Sequence, residues 1–159
     1  MPSLLIVHYS RSGNTAKMAE LVAEGAREVT GVDVQVASVA DLTPDDLLQA
    51  DGVIIGSPVY YGTMAAEVKQ LIDDSVCHHG KLDGKVGGAF ASAGGLHGGA
   101  ETTVLDIVKC LMVHGMVVKG DAKGDHYGPC AKGAPDQRTQ GECRKYGRTI
   151  AELTLKLHG

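Results

Sequence analysis

An open, doubly wound parallel α/β sheet is the fold predicted by this chain of 159 residues, and three observations predict it. Apolar runs and amphipathic helical stripes alternate from end to end, in five βα units. The runs are near-continuously apolar, as in Val53-Ile54-Ile55, which suits strands covered by helices on both faces. No repeat, low-complexity tract or interdomain linker interrupts the alternation, so residues 1–159 read as one domain, long enough to bury its own core.

Strands are expected over 3–8, 32–37, 52–57 and 86–92, with a shorter one near 116–119. Helical stripes with a 3.6-residue period follow in turn: Ala19-Val22-Ala23-Ala26-Val29, Met64-Val68-Leu71-Ile72, Val104-Ile107-Val108-Leu111 and Tyr146-Ile150-Leu153-Leu157. A short helix over 44–50 begins at Pro44, a favoured first helical position, with Thr43 as its cap. Residues 119–142 break the rhythm, with five glycines, two prolines and no apolar period. A loop that long is either functional or a disordered surface insertion, and both readings stay open.

Fifteen basic against nineteen acidic residues give a net charge of −4. That balance argues against nucleic-acid binding, and no basic patch or reading helix supports it. No apolar run approaches the roughly 18 residues of a membrane span, and the start lacks the basic-then-apolar pattern of an export signal. The cysteines at 77, 110, 130 and 143 show no C-x-x-C spacing and read as reduced thiols, which points to the cytoplasm. Cys77-His78-His79 invites a metal reading, but nothing has closed ligand spacing, so no metal site is expected. Cys110 reads as partly buried and inert.

In an open α/β sheet, ligands bind beyond the carboxyl ends of the strands, and three unusual loops fall there. The first, Ser10-Arg11-Ser12-Gly13-Asn14-Thr15, joins an apolar strand to a helix. Its hydroxyls, its glycine and the free N–H groups of a helix start make a cradle for a phosphate. Arg11 points either to that phosphate or to solvent. An ordinary helix start, with Ser12 as cap and Thr15 three residues on, is the alternative. The second loop, Ser57-Pro58-Val59-Tyr60-Tyr61-Gly62, is suited to line a flat ring with one of its two tyrosines. The third, Ser92-Ala93-Gly94-Gly95-Leu96-His97-Gly98-Gly99, is small enough for its backbone to lie against a heteroaromatic edge, with His97 as a further ring or substrate contact. Other phosphate-binding folds lack their marks here. There is no Gly-Lys-Ser/Thr ending, no G-x-G-x-x-G, no phosphorylatable Asp after the third strand and no nucleophilic Cys opening the first loop.

These loops resemble the phosphate loop and the two ring loops of flavodoxin-like FMN proteins. With Leu111-Met112-Val113-His114-Gly115-Met116-Val117-Val118 and His126-Tyr127-Gly128-Pro129, the chain is most similar to the WrbA-like NAD(P)H:quinone oxidoreductases. The resemblance covers residues 3–157 and implies a three-layer αβα sandwich with a five-stranded parallel sheet in the order 2-1-3-4-5. It also implies FMN as cofactor, held by residues 10–15, 57–62 and 92–95, with His97 added by its place in the third loop, and NAD(P)H as electron donor. A quinone is then the acceptor, reduced by two electrons in a ping-pong cycle. His114, at a helix end where a histidine often serves only the dipole, is implied beside the flavin as a polar contact or proton partner. A homodimer or homotetramer is implied as well. The chain is shorter than the usual family member after Gly62 and over 38–52, where family insertions help build the tetramer and the substrate pocket. It also carries His97 where the family more often has Gln, Glu or another polar residue. A one-electron flavodoxin-type carrier is the alternative function, weakened by the modest charge and by a third loop without tyrosine.

Overall fold

The computed structural model describes residues 1–159. Its parallel strands are β1 (Ser3–His8), β2 (Asp33–Ser38), β3 (Gly52–Tyr60), β5 (Val86–Ala93), β6 (Val117–Val118) and β7 (Cys130–Lys132), with β4 (Thr63–Met64) folded back antiparallel on β3. The sheet order is β2-β1-β3-β5-β6, with β7 also on β5, so the predicted order is the observed one. The helices are α1 (Asn14–Arg27), α2 (Pro44–Gln49), α3 (Ala66–Asp74), α4 (Ala100–Val113) and α5 (Gln137–His158).

Alternation along the strands divides the core in two. Leu5, Val7, Val53 and Ile55 pack with Val68, Leu71, Val104, Ile107 and Leu111 on the α3–α4 side. Leu4, Ile6, Ile54 and Phe90 pack with Met18, Val22, Tyr146 and Ile150 on the α1–α5 side. The helices α1 and α5 come into backbone contact: a Cβ on Gly147 would strike the Val22 carbonyl, and one on Gly25 the Arg144 carbonyl. The Tyr146 hydroxyl accepts from the Ala89 N–H at 3.0 Å, tying α5 to β5.

Four boundaries differ from expectation. β3 runs on to Tyr60 because the second loop closes as a hairpin, with Val59 opposite Met64 and Tyr60 opposite Thr63. Met64 therefore belongs to β4, and α3 starts only at Ala66. The fifth sheet position is split: β6 pairs with Val86 and Gly87, and β7 with Ala91 to Ala93. Between them, 119–129 is a folded insertion, and α5 begins at Gln137, inside the stretch read as irregular. The Asp125 carboxylate accepts from the Cys130 N–H at 3.0 Å and pairs with Arg138, while Asp121 pairs with Lys145. Glu142 accepts from the Asp125 N–H at 3.1 Å. These ties anchor the insertion to α5. The short helix keeps its expected start, with the Asp46 carboxylate accepting from the Thr43 N–H at 2.7 Å and hydroxyl at 3.0 Å.

Candidate functional site

Parallel pairing delivers the ends of β1, β3 and β5 to one edge of the sheet, and the three loops meet there in pairs. Between the first and second, the Tyr9 N–H donates to the Gly56 carbonyl at 3.2 Å. The Arg11 guanidinium lies 4.6 Å from the centre of the Tyr60 ring, and Tyr9 meets that ring edge-on. Between the first and third, the Thr15 and Ser92 hydroxyls are hydrogen-bonded at 2.8 Å. Between the second and third, a Cβ on Gly99 would sit 3.4 Å from both Gly62 Cα and Val59 Cγ1.

The first loop ends at Gly13, whose φ of +96° caps α1 without a side chain. The cap is therefore Gly13 and not Ser12, which stays exposed. The Ser10 hydroxyl accepts from the Gly13 N–H at 3.1 Å and shapes the turn. The N–H groups of Asn14, Thr15 and Ala16 find no acceptor in the protein, and a Cβ on Gly13 would meet nothing within 4 Å. Three unpaired donors at the positive end of a helix 14 residues long form an open anion cradle. Arg11 turns away to the second loop.

Two strained turns shape the second and third loops. Tyr61 and His97, at φ +49° and +59°, are the only non-glycine residues with positive φ, and they stand in the second and third loops. Tyr61 and Gly62 together form a two-residue turn of the kind that usually takes Asn-Gly. A tyrosine there is held in an unfavourable backbone region with its side chain fully exposed. Tyr60 is half-buried between Tyr9 and Arg11, so the hairpin presents both rings in different ways. Gly94 and Gly95 have open space where a Cβ would be, and Gly99, at φ +103°, starts α4. A cavity of about 370 Å³ lies on the α4 side of this loop, lined by His97, Glu101, Cys130 and Lys132 among others.

Not every expected site residue has a free side chain. Ser57 is fully buried: its hydroxyl donates to the Pro58 carbonyl at 2.7 Å and accepts from the Ala65 N–H at 2.9 Å, bracing the hairpin from inside. Ser92 and Ala93 lie within β5 and are buried, with the Ser92 hydroxyl turned to Thr15. Tyr9 and Gly99, at the borders of the first and third loops, take part in the contacts that join the loops. Tyr9 directly follows an apolar strand, and a glycine before a helical stripe is a weak cap signal, so both were readable at low strength.

His114 is the clear correction. It caps the carboxyl end of α4, which starts at the third loop and runs 14 residues away from it, about 20 Å of helix. Its neighbour Gly115 accepts from the Gly84 N–H at 3.1 Å, before β5 begins, so His114 lies at the amino edge of the sheet. There Ser75 Oγ donates to the Ile72 carbonyl at 2.6 Å and lies 2.8 Å from His114 Nε2. Because the serine proton is committed, His114 must donate from Nε2, and its buried Nδ1 is an unpaired acceptor. Burial first, then the neighbouring His79 and His78, hold its pKa below the ordinary value. This is a neutral structural histidine. His78, in turn, meets Asp45 Oδ1 at 2.7 Å, and no three His, Cys, Asp or Glu side chains stand close enough to hold a metal ion. Burial pushes the Cys130 and Cys143 thiols up to about 12, far from a reactive thiolate.

Comparison with known proteins follows the same lines. Residues 43–124 match the family described as NADPH-dependent FMN reductase. A protein named flavodoxin from Aquifex aeolicus is 41% identical over 160 residues, covering 96% of this chain and 86% of that one. A protein named NAD(P)H dehydrogenase (quinone) from Rhodopseudomonas palustris is 34% identical over 200 aligned positions, covering all of both chains. Among solved structures, a flavodoxin, WrbA-like protein from Agrobacterium tumefaciens superposes with a TM-score of 0.84 at 25% identity, covering 99% of each chain.

Proposed function

We infer that this chain, which belongs to the NADPH-dependent FMN reductase family, is an FMN-dependent oxidoreductase drawing its electrons from NAD(P)H. The finer reading is that quinones are the acceptor, reduced by two electrons, with nicotinamide and quinone using one open face in turn. What carries the reading is the junction of three loops at the carboxyl edge, with unpaired helix donors on one side and two strained ring-lining turns on the other.

The residues present fit FMN. The N–H groups of Asn14, Thr15 and Ala16, with the hydroxyls of Ser10, Ser12 and Thr15, would hold its phosphate; the three N–H groups have no protein acceptor to give up. The hairpin of Tyr60 and Tyr61 and the backbone of 94–99 would hold its ring, where Gly94 and Gly95 leave space for close approach. When bound, FMN supplies the hydride acceptor and the two-electron store of the reaction. The protein's own work is placement: α1 would anchor the anion, Ser57 stiffens the hairpin, and the unpaired backbone donors of Gly94 and Gly95 would be available to negative charge at the ring edge. No buried acid–base pair is needed for such chemistry, and His114 takes no part.

Mixing the FMN-loaded protein anaerobically with NADPH or NADH, then adding benzoquinone, tests this reading. Rapid bleaching of the flavin absorbance followed by full recovery on quinone addition is the expected result. A second reading, a one-electron carrier, is favoured by the likeness to the Aquifex flavodoxin and by the length of this chain, 159 residues against 200 aligned positions with the quinone dehydrogenase relative. Bound FMN that ignores both nicotinamides would establish the carrier instead.

A further inference from the structure

We propose that Ser92 acts on the phosphate through Thr15, as a positioning residue for the anion cradle, although it stands at the start of the loop expected to serve the ring. The proposal rests on the reading that the start of α1 takes the FMN phosphate. Thr15 Oγ1 and Ser92 Oγ are 2.8 Å apart, with both residues buried (1% and 6% exposed). Neither hydroxyl has any other partner in the protein. Two hydroxyls bring two protons, and one hydrogen bond between them uses one. The second O–H is therefore buried without a protein acceptor, an arrangement that is completed by water or by a ligand.

Position decides which ligand. Thr15 is the second residue of α1, beside the unpaired N–H groups of Asn14 and Ala16. An anion oxygen seated there is the acceptor the pair lacks. When Ser92 donates to Thr15 Oγ1, the Thr15 proton is released toward the anion, and the threonine oxygen is polarised by the bond it accepts. Without Ser92, the Thr15 hydroxyl is free to rotate and makes the same contact with less pre-organisation. Ser92 thus links occupancy of the cradle to the end of β5, from which the glycine loop departs.

Riboflavin, which lacks the phosphate, separates this role from a packing role. Affinities for FMN and for riboflavin are measured by fluorescence titration on the wild type, Ser92→Ala, Thr15→Val and the double variant. Ser92→Ala is expected to weaken FMN about tenfold, the equivalent of one modest hydrogen bond, and to leave riboflavin within about twofold. The double variant is expected to bind FMN no more weakly than Thr15→Val alone, since Ser92 works through Thr15. Equal loss for both flavins, no loss for either, or additive losses in the double variant overturns the proposal. Wild-type protein that binds both flavins equally overturns the phosphate reading and the proposal with it. A wild-type preference for FMN that Ser92→Ala leaves intact overturns the proposal alone.

Discussion

The two edges of the sheet hold similar polar side chains and spend them in opposite ways. At the amino edge, Ser75, His114, His78 and Asp45 are committed to one another or to the backbone, and the Nδ1 atoms of the two histidines are buried without a partner. At the carboxyl edge, the first three N–H groups of α1 and one hydroxyl proton have no partner, and two side chains are displayed from strained backbone. A histidine cluster looks chemical in a sequence, while bare N–H groups leave no mark there. The unspent donors are what the proposed site rests on.

The largest effect is expected from emptying the amino edge. Ser75→Ala leaves the His114 N–H buried without its acceptor, a loss of about 1–3 kcal/mol of stability by denaturant unfolding. FMN affinity should stay within about twofold. A tenfold loss of affinity with unchanged stability would break the comparison and return His114 to the site. Tyr61→Ala sharpens the other side. Its ring touches little in the free protein, so stability should hold, while FMN and riboflavin affinities fall together by about tenfold, as expected for a lost aromatic contact. Loss for FMN alone would place Tyr61 at the phosphate instead.

Much of this architecture was legible because it rests on periodicity. The runs around Leu4–Val7 and Val53–Ile55, and the stripes of α1, α4 and α5, need only local pattern and two-sided burial to be read. The split fifth strand was not legible, since Val117–Val118 and Cys130–Lys132 join the sheet only because β5 offers them two separate stretches of edge. Residues 137–142 hid the start of α5, being polar and glycine-containing; the helix there depends on Asp136, whose carboxylate accepts from the Thr139 N–H at 2.8 Å. In the site, loop chemistry placed all three loops at one edge. Side-chain direction was beyond reach: Ser92 and Arg11 turn to partners in another loop, and Ser57 turns inward to the backbone of its own hairpin. His114 failed for a related reason, because a helix carries its last residue away from the loop that starts it.

Acid should act on the amino edge through His114. Its folded pKa lies below the ordinary value of 6.5 while the unfolded chain titrates normally, so the unfolded state binds the proton first. Stability is therefore complete above about pH 7 and declines as pH falls from 6.5 through the lowered folded pKa. His8, also depressed by burial against the opposing pull of Glu20 and Asp41, adds a decline of the same sign. His114→Gln, which keeps an N–H for Ser75 and removes the titration, should flatten part of the stability profile between pH 7 and 5. An unchanged profile would mean that His114 binds its proton equally well in the folded and unfolded states.

The smallest effect belongs to the insertion. Arg138 pairs with Asp125 at a largely exposed position, and such pairs contribute under about 1 kcal/mol. Arg138→Ala should therefore lower stability only slightly. Asp125 keeps its bond to the Cys130 N–H, so β7 stays on β5. Asp125→Ala removes both ties at once and should raise hydrogen exchange across 119–129 while sparing α1 and the first loop. Because β7 also borders the third loop, where the Gly133 N–H donates to the Ala93 carbonyl at 2.7 Å, faster exchange that spreads to Gly133 would make the insertion a support of the ring loop. Exchange confined to 119–129 would leave it an anchored appendage of α5.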